Sequence, residues 1–221
     1  MDLKEARTEA FLKQQGETVY ILDHILSTID IRDKYFQYSV AFIIFNPIFW
    51  NVVARLEYNT HFITKLAGSA KTGCYLLAAT IFSLGVGRDL IFDQALKHQE
   101  ACKYLTNDYV KYISYGIFGV GQLLVITSMY QLGITGTYLG DYFGILMKER
   151  VTGFPFNVSN NPMYQGSTLC FLATSLYYGK PTGLIITAVV YIMYTIALRF
   201  EEPFTAKIYA KNTVEEKRKL K

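Results

Sequence analysis

Apolar residues in this chain come in runs too long and too continuous for a water-facing fold to bury, and that constrains everything else. Candidate spans fall at about 35–53, 72–86, 112–134, 166–178 and 182–200. A helix needs about 20 predominantly apolar residues to cross a bilayer, so the run at 72–86 is short and Leu90, Ile91 and Phe92 would extend it. Composition agrees: of 221 residues, 51% are hydrophobic and only 18% charged, with mean hydropathy +0.18, against roughly 25% charged in an average soluble domain. The expected fold is therefore all-α, a polytopic membrane helical bundle of about four to five spans, with 1–221 forming one integral membrane domain.

The run ends divide the chain further. In 1–34, Val19, Ile21, Leu22, Ile25, Leu26 and Ile29 recur near helical spacing among polar neighbours, the pattern of a helix lying on the membrane surface. No continuous apolar stretch followed by a small-residue cleavage site precedes them, so no cleaved signal peptide is expected. Arg55 and Glu57 close the first run, Gly87-Arg88-Asp89 the second, and Glu201-Glu202-Pro203 the last. Between the third and fourth runs, 133–165 is rich in Gly, Tyr, Phe, Asn and Asp and reads as a long functional loop. Gly179-Lys180-Pro181 is so short a connection that the last two runs should form a tight antiparallel hairpin.

Five crossings with a cytosolic 201–221 tail give nearly balanced Lys and Arg counts on the two sides, so positive-inside bias favours this orientation only slightly. The tail adds a second argument, since Lys217 and Lys219 resemble a dilysine retrieval signal of endoplasmic reticulum membrane proteins. The alternative is a solvated basic tail attracted to anionic lipid.

Three single cysteines, Cys74, Cys102 and Cys170, and three dispersed histidines, His24, His61 and His98, show no metal-ligand or redox spacing. No metal is expected. The chemistry-bearing residues lie instead at the run ends. The predicted hairpin brings Asn160-Asn161-Pro162-Met163-Tyr164 to the same side as Glu201 and Glu202. Carboxylates there suit the hydroxyls and positive charge of a sulfonium cofactor; the alternative is a pair of ordinary interfacial charges. Gly119-Val120-Gly121, inside the third run, fails as a dinucleotide fingerprint and suits either a cofactor contact or close helix packing. Tyr138, Tyr142 and Phe154 belong to an aromatic loop that would attract a methylated ammonium group, or form an interfacial belt. Asp141 is the candidate group nearest such an amine.

The blocks Gly153-Phe154-Pro155-Phe156-Asn157-Val158, Asn161-Pro162-Met163-Tyr164-Gln165-Gly166 and Glu201-Glu202-Pro203-Phe204-Thr205-Ala206 resemble signatures of the phosphatidylethanolamine N-methyltransferase family, most of all its short fungal members. Phe45-Asn46-Pro47-Ile48-Phe49-Trp50-Asn51 and 132–144 are also similar. The resemblance implies an S-adenosylmethionine-dependent enzyme carrying phosphatidyl-N-methylethanolamine to phosphatidylcholine in the endoplasmic reticulum membrane, with a mitochondrial membrane as second location. It also implies cofactor contacts from Gly119, Gly121, Glu201 and Glu202. Where the wider group of membrane methyltransferases has Arg-His before the proline, this chain has Asn160-Asn161; by the resemblance, Asn161 and Tyr164 of this turn are further cofactor contacts. The expected partners are the bilayer and a phospholipid within it, with no nucleic acid. Two rivals remain at this point: a membrane methyltransferase with another acceptor, such as an isoprenylated cysteine, and a non-enzymatic reticulum protein.

Asn157-Val158-Ser159 is a glycosylation acceptor sequence. A cytosolic loop carries no glycan there, so endoglycosidase treatment of the expressed protein should leave its gel mobility unchanged; a shift abolished by Asn157→Gln would invert the orientation.

Overall fold

The structure is a computed structural model that describes residues 3–148 and 151–219, with side chains for 13–148, 151–214 and Arg218. Seven α-helices follow in order: α1 (Leu3–Ser27), α2 (Lys34–Thr60), α3 (Phe62–Ala67), α4 (Ala70–His98), α5 (Asp108–Thr137), α6 (Pro162–Tyr177) and α7 (Pro181–Lys219), with a 3-10 turn at Gly140–Phe143. No strand occurs among the described residues. Four segments are long and apolar enough to cross a membrane: Lys34–Thr60, Ala70–His98, Asp108–Phe143 and Pro181–Val214. The protein is a multi-pass membrane helical bundle.

Local chemistry sets the helix starts. Asp33, Ser69 and Asn107 each accept a hydrogen bond from a backbone N–H of the first turn that follows, capping α2, α4 and α5. The α2–α3 corner is held from inside, because the buried Glu57 carboxylate accepts from the N–H of Ile63 (2.7 Å) and from the Thr64 hydroxyl at the start of α3.

Three boundaries differ from those expected of the apolar runs. The run at 166–178 becomes α6, whose sixteen residues extend about 24 Å, short of a hydrocarbon core of about 30 Å. It packs between α5 and α7, joined to α7 by the short Tyr178–Lys180 turn. Instead of stopping at Gly87-Arg88-Asp89, α4 runs on to His98, which puts Arg88 inside a spanning helix. Likewise α7 continues through Pro203 to Lys219 rather than ending at Glu201-Glu202-Pro203. Proline removes one helical hydrogen bond, and a helix packed on its neighbours tolerates that loss. Leu220 and Lys221, the end of the dilysine pattern, lie outside the described residues.

One end of the bundle is tied by Gln99, which is buried at the close of α4. Its side chain exchanges two hydrogen bonds with the Asp30 backbone (2.9 and 2.8 Å) and accepts one from Thr182 (2.8 Å), while its carbonyl accepts from Lys180. The α1–α2 link, α4 and the α6–α7 turn therefore meet at one amide. Nearby, α1 leaves Val19, Leu22 and Leu26 outward and exposed, available to a lipid surface. The main core of α2, α4, α6 and α7 contains Ile43, Phe92, Leu96, Phe171, Ile186 and Val190.

The closest helix approach is between α5 and α6. A Cβ on Gly121 would lie 2.7 Å from the Gly166 carbonyl oxygen, and one on Gly166 would lie 2.6 Å from that of Gly121. Small residues allow backbones to meet this way in membranes. A Cβ on Gly119, two residues earlier, would have nothing within 4 Å, and Val120 is 53% exposed. Gly121→Ala and Gly166→Ala should each lower thermal stability of the detergent-solubilised protein, by about 1–3 kcal/mol for overpacking. Gly119→Ala should leave the melting temperature unchanged.

Candidate functional site

A cavity of about 720 Å³ lies inside the bundle, walled by α2, α4, α5, α6, α7 and the segment after α5. Its volume is that of a site for a small-molecule ligand. Asp141, Asn161, Tyr164, Glu201 and Thr205 line one end of it, while Phe82, Val86, Phe118, Val125 and Met129 give it apolar walls between α4 and α5.

Glu201 is the best-held polar group in this cavity. Its Oε1 accepts from Trp50 Nε1 and from Asn51 Nδ2 (2.8 Å), and its Oε2 accepts from the Tyr164 hydroxyl (2.6 Å). Those donors come from α2 and α6, so three helices converge on one carboxylate. An ionised carboxylate offers about four acceptor positions; three are filled by the protein and one is left on Oε2. Such bonding satisfies the acceptor atoms of a partly buried carboxylate. Glu202 differs, since one residue further round α7 it is exposed and accepts from Asn161 Nδ2 (2.8 Å). It does not line the cavity, but it pins the turn that opens α6.

Asp141 reaches the cavity from the 3-10 turn, with Thr205 Oγ1 donating to its Oδ2 (2.8 Å). That turn is set by close approach at Gly140, where a Cβ would lie 2.6 Å from the Thr135 carbonyl oxygen. Gly133, at φ 61 and ψ −177, breaks α5 just before it.

The structure separates the sequence-derived site residues. Asp141, Asn161, Tyr164, Glu201 and Tyr138 line the cavity. Tyr142 is buried behind it, stacked on Phe204 with ring centroids 5.1 Å apart. Phe154 is 41% exposed and its carbonyl accepts from Gln131 Nε2; Phe156 lines the cavity instead. Gly119, Val120 and Gly121 are not among the lining residues, which on this stretch of α5 are Phe118 and Gln122. Gly121 meets α6 rather than the cavity.

Residues that sequence reasoning gave no role also converge here. Trp50 and Asn51 are invisible as Glu201 donors until α2 and α7 are side by side; the one hint is that Trp50 is the only tryptophan of the chain. Arg88 lines the cavity from α4, donates to the Tyr194 hydroxyl, pairs with Asp89 (2.8 Å), and lies 4.8 Å over the Phe171 ring.

Such a fold and site define an integral membrane protein in which a polar, carboxylate-bearing ligand site is continuous with apolar walls of the same cavity. Comparison with known proteins narrows this class. Residues 110–212 match the profile of the phospholipid methyltransferase family. The chain is 60% identical to phosphatidyl-N-methylethanolamine N-methyltransferase of Saccharomyces cerevisiae, over 86% of this chain and 92% of that one. It is 52% identical to phosphatidylethanolamine N-methyltransferase A of Dictyostelium discoideum, over 86% and 89%. With phosphatidylethanolamine N-methyltransferase of Homo sapiens it shares 43% identity, over 85% and 94%. No solved structure matches it significantly. The chain belongs to the phospholipid methyltransferase family and is a membrane methyltransferase.

Glu201→Ala leaves the Trp50 indole N–H, the Asn51 amide and the Tyr164 hydroxyl without their shared acceptor, so it should cost about 1–3 kcal/mol of stability. Glu202→Gln keeps an acceptor for Asn161 at an exposed position and should stay within about 0.5 kcal/mol. Thermal unfolding of the two variants in one detergent checks the difference.

Proposed function

We propose that this protein uses S-adenosylmethionine to convert phosphatidyl-N-methylethanolamine, through its dimethyl form, to phosphatidylcholine, and that it also accepts phosphatidylethanolamine. The observation that carries this reading is Glu201, a carboxylate held by three donors with an acceptor position to spare, at the polar end of a cavity with apolar walls. The relatives support the acceptor: the fungal ones, at 54–60% identity, are named for the monomethyl lipid, and that of Homo sapiens, at 43%, for phosphatidylethanolamine. An isoprenylated cysteine acceptor finds no such support.

The residues present fit the cofactor. Its hydroxyls and ammonium are donors, its sulfonium is a cation, and the cavity offers them Glu201 and Asp141 within a volume of about 720 Å³. Glu201, Tyr164 and Asn161 would hold it, with Glu202 acting through Asn161. When bound, it would supply an electrophilic methyl carbon to the acceptor's nitrogen lone pair. Gly121 contributes by setting the α5–α6 distance that shapes the cavity wall.

The acceptor amine must be neutral to react. With a pKa near that of lysine, about 10.4, deprotonation at about pH 7 costs about 4–5 kcal/mol. Partial burial in the cavity lowers that cost. Asp141, held by Thr205 one turn past Glu201, adds a second carboxylate at the cofactor end; Tyr138 offers an aromatic face to the growing ammonium. Alignment of the two reactants supplies much of what remains. The location proposed is the endoplasmic reticulum membrane, in keeping with the family and with Lys217 and Lys219.

Membranes containing the chain, incubated with radiolabelled S-adenosylmethionine and each of the unmethylated, monomethyl and dimethyl lipids, should label phosphatidylcholine, fastest from the monomethyl form. Glu201→Ala with Glu202→Ala should abolish the label. Absence of label in any of the three lipids would overturn the assignment.

A further inference from the structure

Arg88 takes no part in the chemistry above, and its position asks for a role. It lies ten residues before the end of α4 (Ala70–His98), about 15 Å down the helix axis and inside a spanning segment, where an ionisable residue is costly and usually functional. The guanidinium is only 12% exposed and is fixed from three directions: Tyr194 accepts at its tip, Asp89 at its side, and the Phe171 ring lies beneath it. Tyr194 is itself steadied by the Ser167 hydroxyl (3.1 Å) and by an edge-on contact with Tyr164. Of five N–H donors on an arginine, Nη1 and Nε each use one in these hydrogen bonds, and the Nη2 end is paired only with Asp89, whose side chain is 58% exposed. A fixed cation with donors to spare and a solvent-accessible counter-ion, lining a cavity, is built to take an oxyanion.

We propose that Arg88 is the anchor for the phosphodiester of the lipid substrate, with Tyr194 as its positioning residue. The inference rests on the function proposed above. Tyr194 and Glu201 are seven residues apart on α7, about 10 Å along the axis, so the Arg88 end and the Glu201 end of the cavity are separated by about that distance. In an ethanolamine phospholipid, four bonds join phosphorus to nitrogen, a reach of about 5 Å. A phosphodiester on Arg88 therefore puts the amine about half-way to Glu201, leaving the other half for the methyl group and its carrier. From Arg88 the apolar walls between α4 and α5, Phe82, Val86 and Phe118, give the acyl chains a path to the bilayer. Asp89 then has a purpose too: it neutralises Arg88 until the phosphodiester arrives, and its exposed side chain leaves without crossing the core.

The same oxyanion chemistry belongs to the carboxylate at the amino-acid end of the cofactor, and kinetics separate the two sources. Arg88→Gln and Tyr194→Phe should be assayed in mixed micelles with lipid and cofactor varied separately, and cofactor binding should be measured without lipid by equilibrium dialysis of radiolabelled S-adenosylmethionine. The expected result is a KM for the monomethyl lipid raised tenfold or more in Arg88→Gln and several-fold in Tyr194→Phe, with cofactor Kd unchanged within twofold. Glycerophospho-N-methylethanolamine should compete with lipid in the wild type and lose potency in both variants, while N-methylethanolamine, which lacks the phosphate, competes poorly throughout. Weakened cofactor binding with an unchanged lipid KM would assign Arg88 to the carboxylate and overturn the proposal. Unchanged values for both would make Arg88 a packing residue, also overturning it. Should Arg88→Gln fail to fold, Tyr194→Phe, which keeps the ring contact with Tyr164, carries the test alone. A wild type that methylates none of the lipids would instead refute the proposed function, a separate failure.

Discussion

Three helices of this bundle agree on their positions through one carboxylate. Glu201 on α7 accepts from Trp50 and Asn51 on α2 and from Tyr164 on α6, and no part of that arrangement is affordable alone. A glutamate at this depth without donors would be a costly buried charge, and the indole, amide and phenol without it would be unsatisfied polar groups in an apolar setting. Together they fix the rotation of α7 relative to α2 and α6. That rotation decides which of two adjacent glutamates faces the cavity: Glu201 inward, Glu202 outward onto Asn161. A ligand site and a tertiary lock are thus the same set of atoms.

The second constraint is steric. Gly121 and Gly166 bring α5 and α6 into backbone contact, and since membrane helices gain little from apolar burial against each other, such close packing must hold them. The short α6 follows from this. Because it clings to α5 instead of matching the bilayer, its N-terminus stops within the bundle's polar end, where Asn161 and Tyr164 meet α7. On the other side of the cavity Phe82 of α4 and Phe118 and Met129 of α5 line its wall. Tight contact between α5 and α6 on one flank and looser contact between α4 and α5 on the other leave room for the cavity.

What could be read from the residues alone divides along the same lines. Span positions were legible, because apolar runs are a one-dimensional signal, and so was the convergence of Asn161, Tyr164 and Glu201, because a three-residue turn between two runs permits little but a hairpin. Charges misled where they stood for boundaries. Arg88 and Asp89 look like the end of a span, yet they pair with each other and with Tyr194 inside it; Glu201 looks like another end, yet its charge is absorbed by α2. The donors Trp50 and Asn51 sit about 150 residues from their acceptor, and no local pattern announces a partner at that separation. The glycines were ambiguous for a different reason: Gly119 and Gly121 are two residues apart and face opposite ways on α5, so their motif holds one packing residue and one exposed position.

Polar groups along this cavity are graded by how much freedom the fold leaves them. Glu201 has three fixed side-chain donors, and Asp141 is held by the Thr205 hydroxyl together with backbone N–H groups of its own 3-10 turn. Asp89 has one partner and an exposed side chain. A group-transfer site needs that gradient. Alignment contributes to rate only if the acceptor-holding and donor-holding groups do not themselves move, whereas a charge that merely keeps an empty site neutral must be able to leave. Tyr194 and Tyr164 link the two ends, one ring edge-on to the other at 4.9 Å, so the group that orients Arg88 rests against a group that orients Glu201. Two fixed points about 10 Å apart along α7, joined by packed rings, give the bundle a built-in measure of separation. The bilayer enforces that measure, because every polar atom along it would be costly anywhere else in the span.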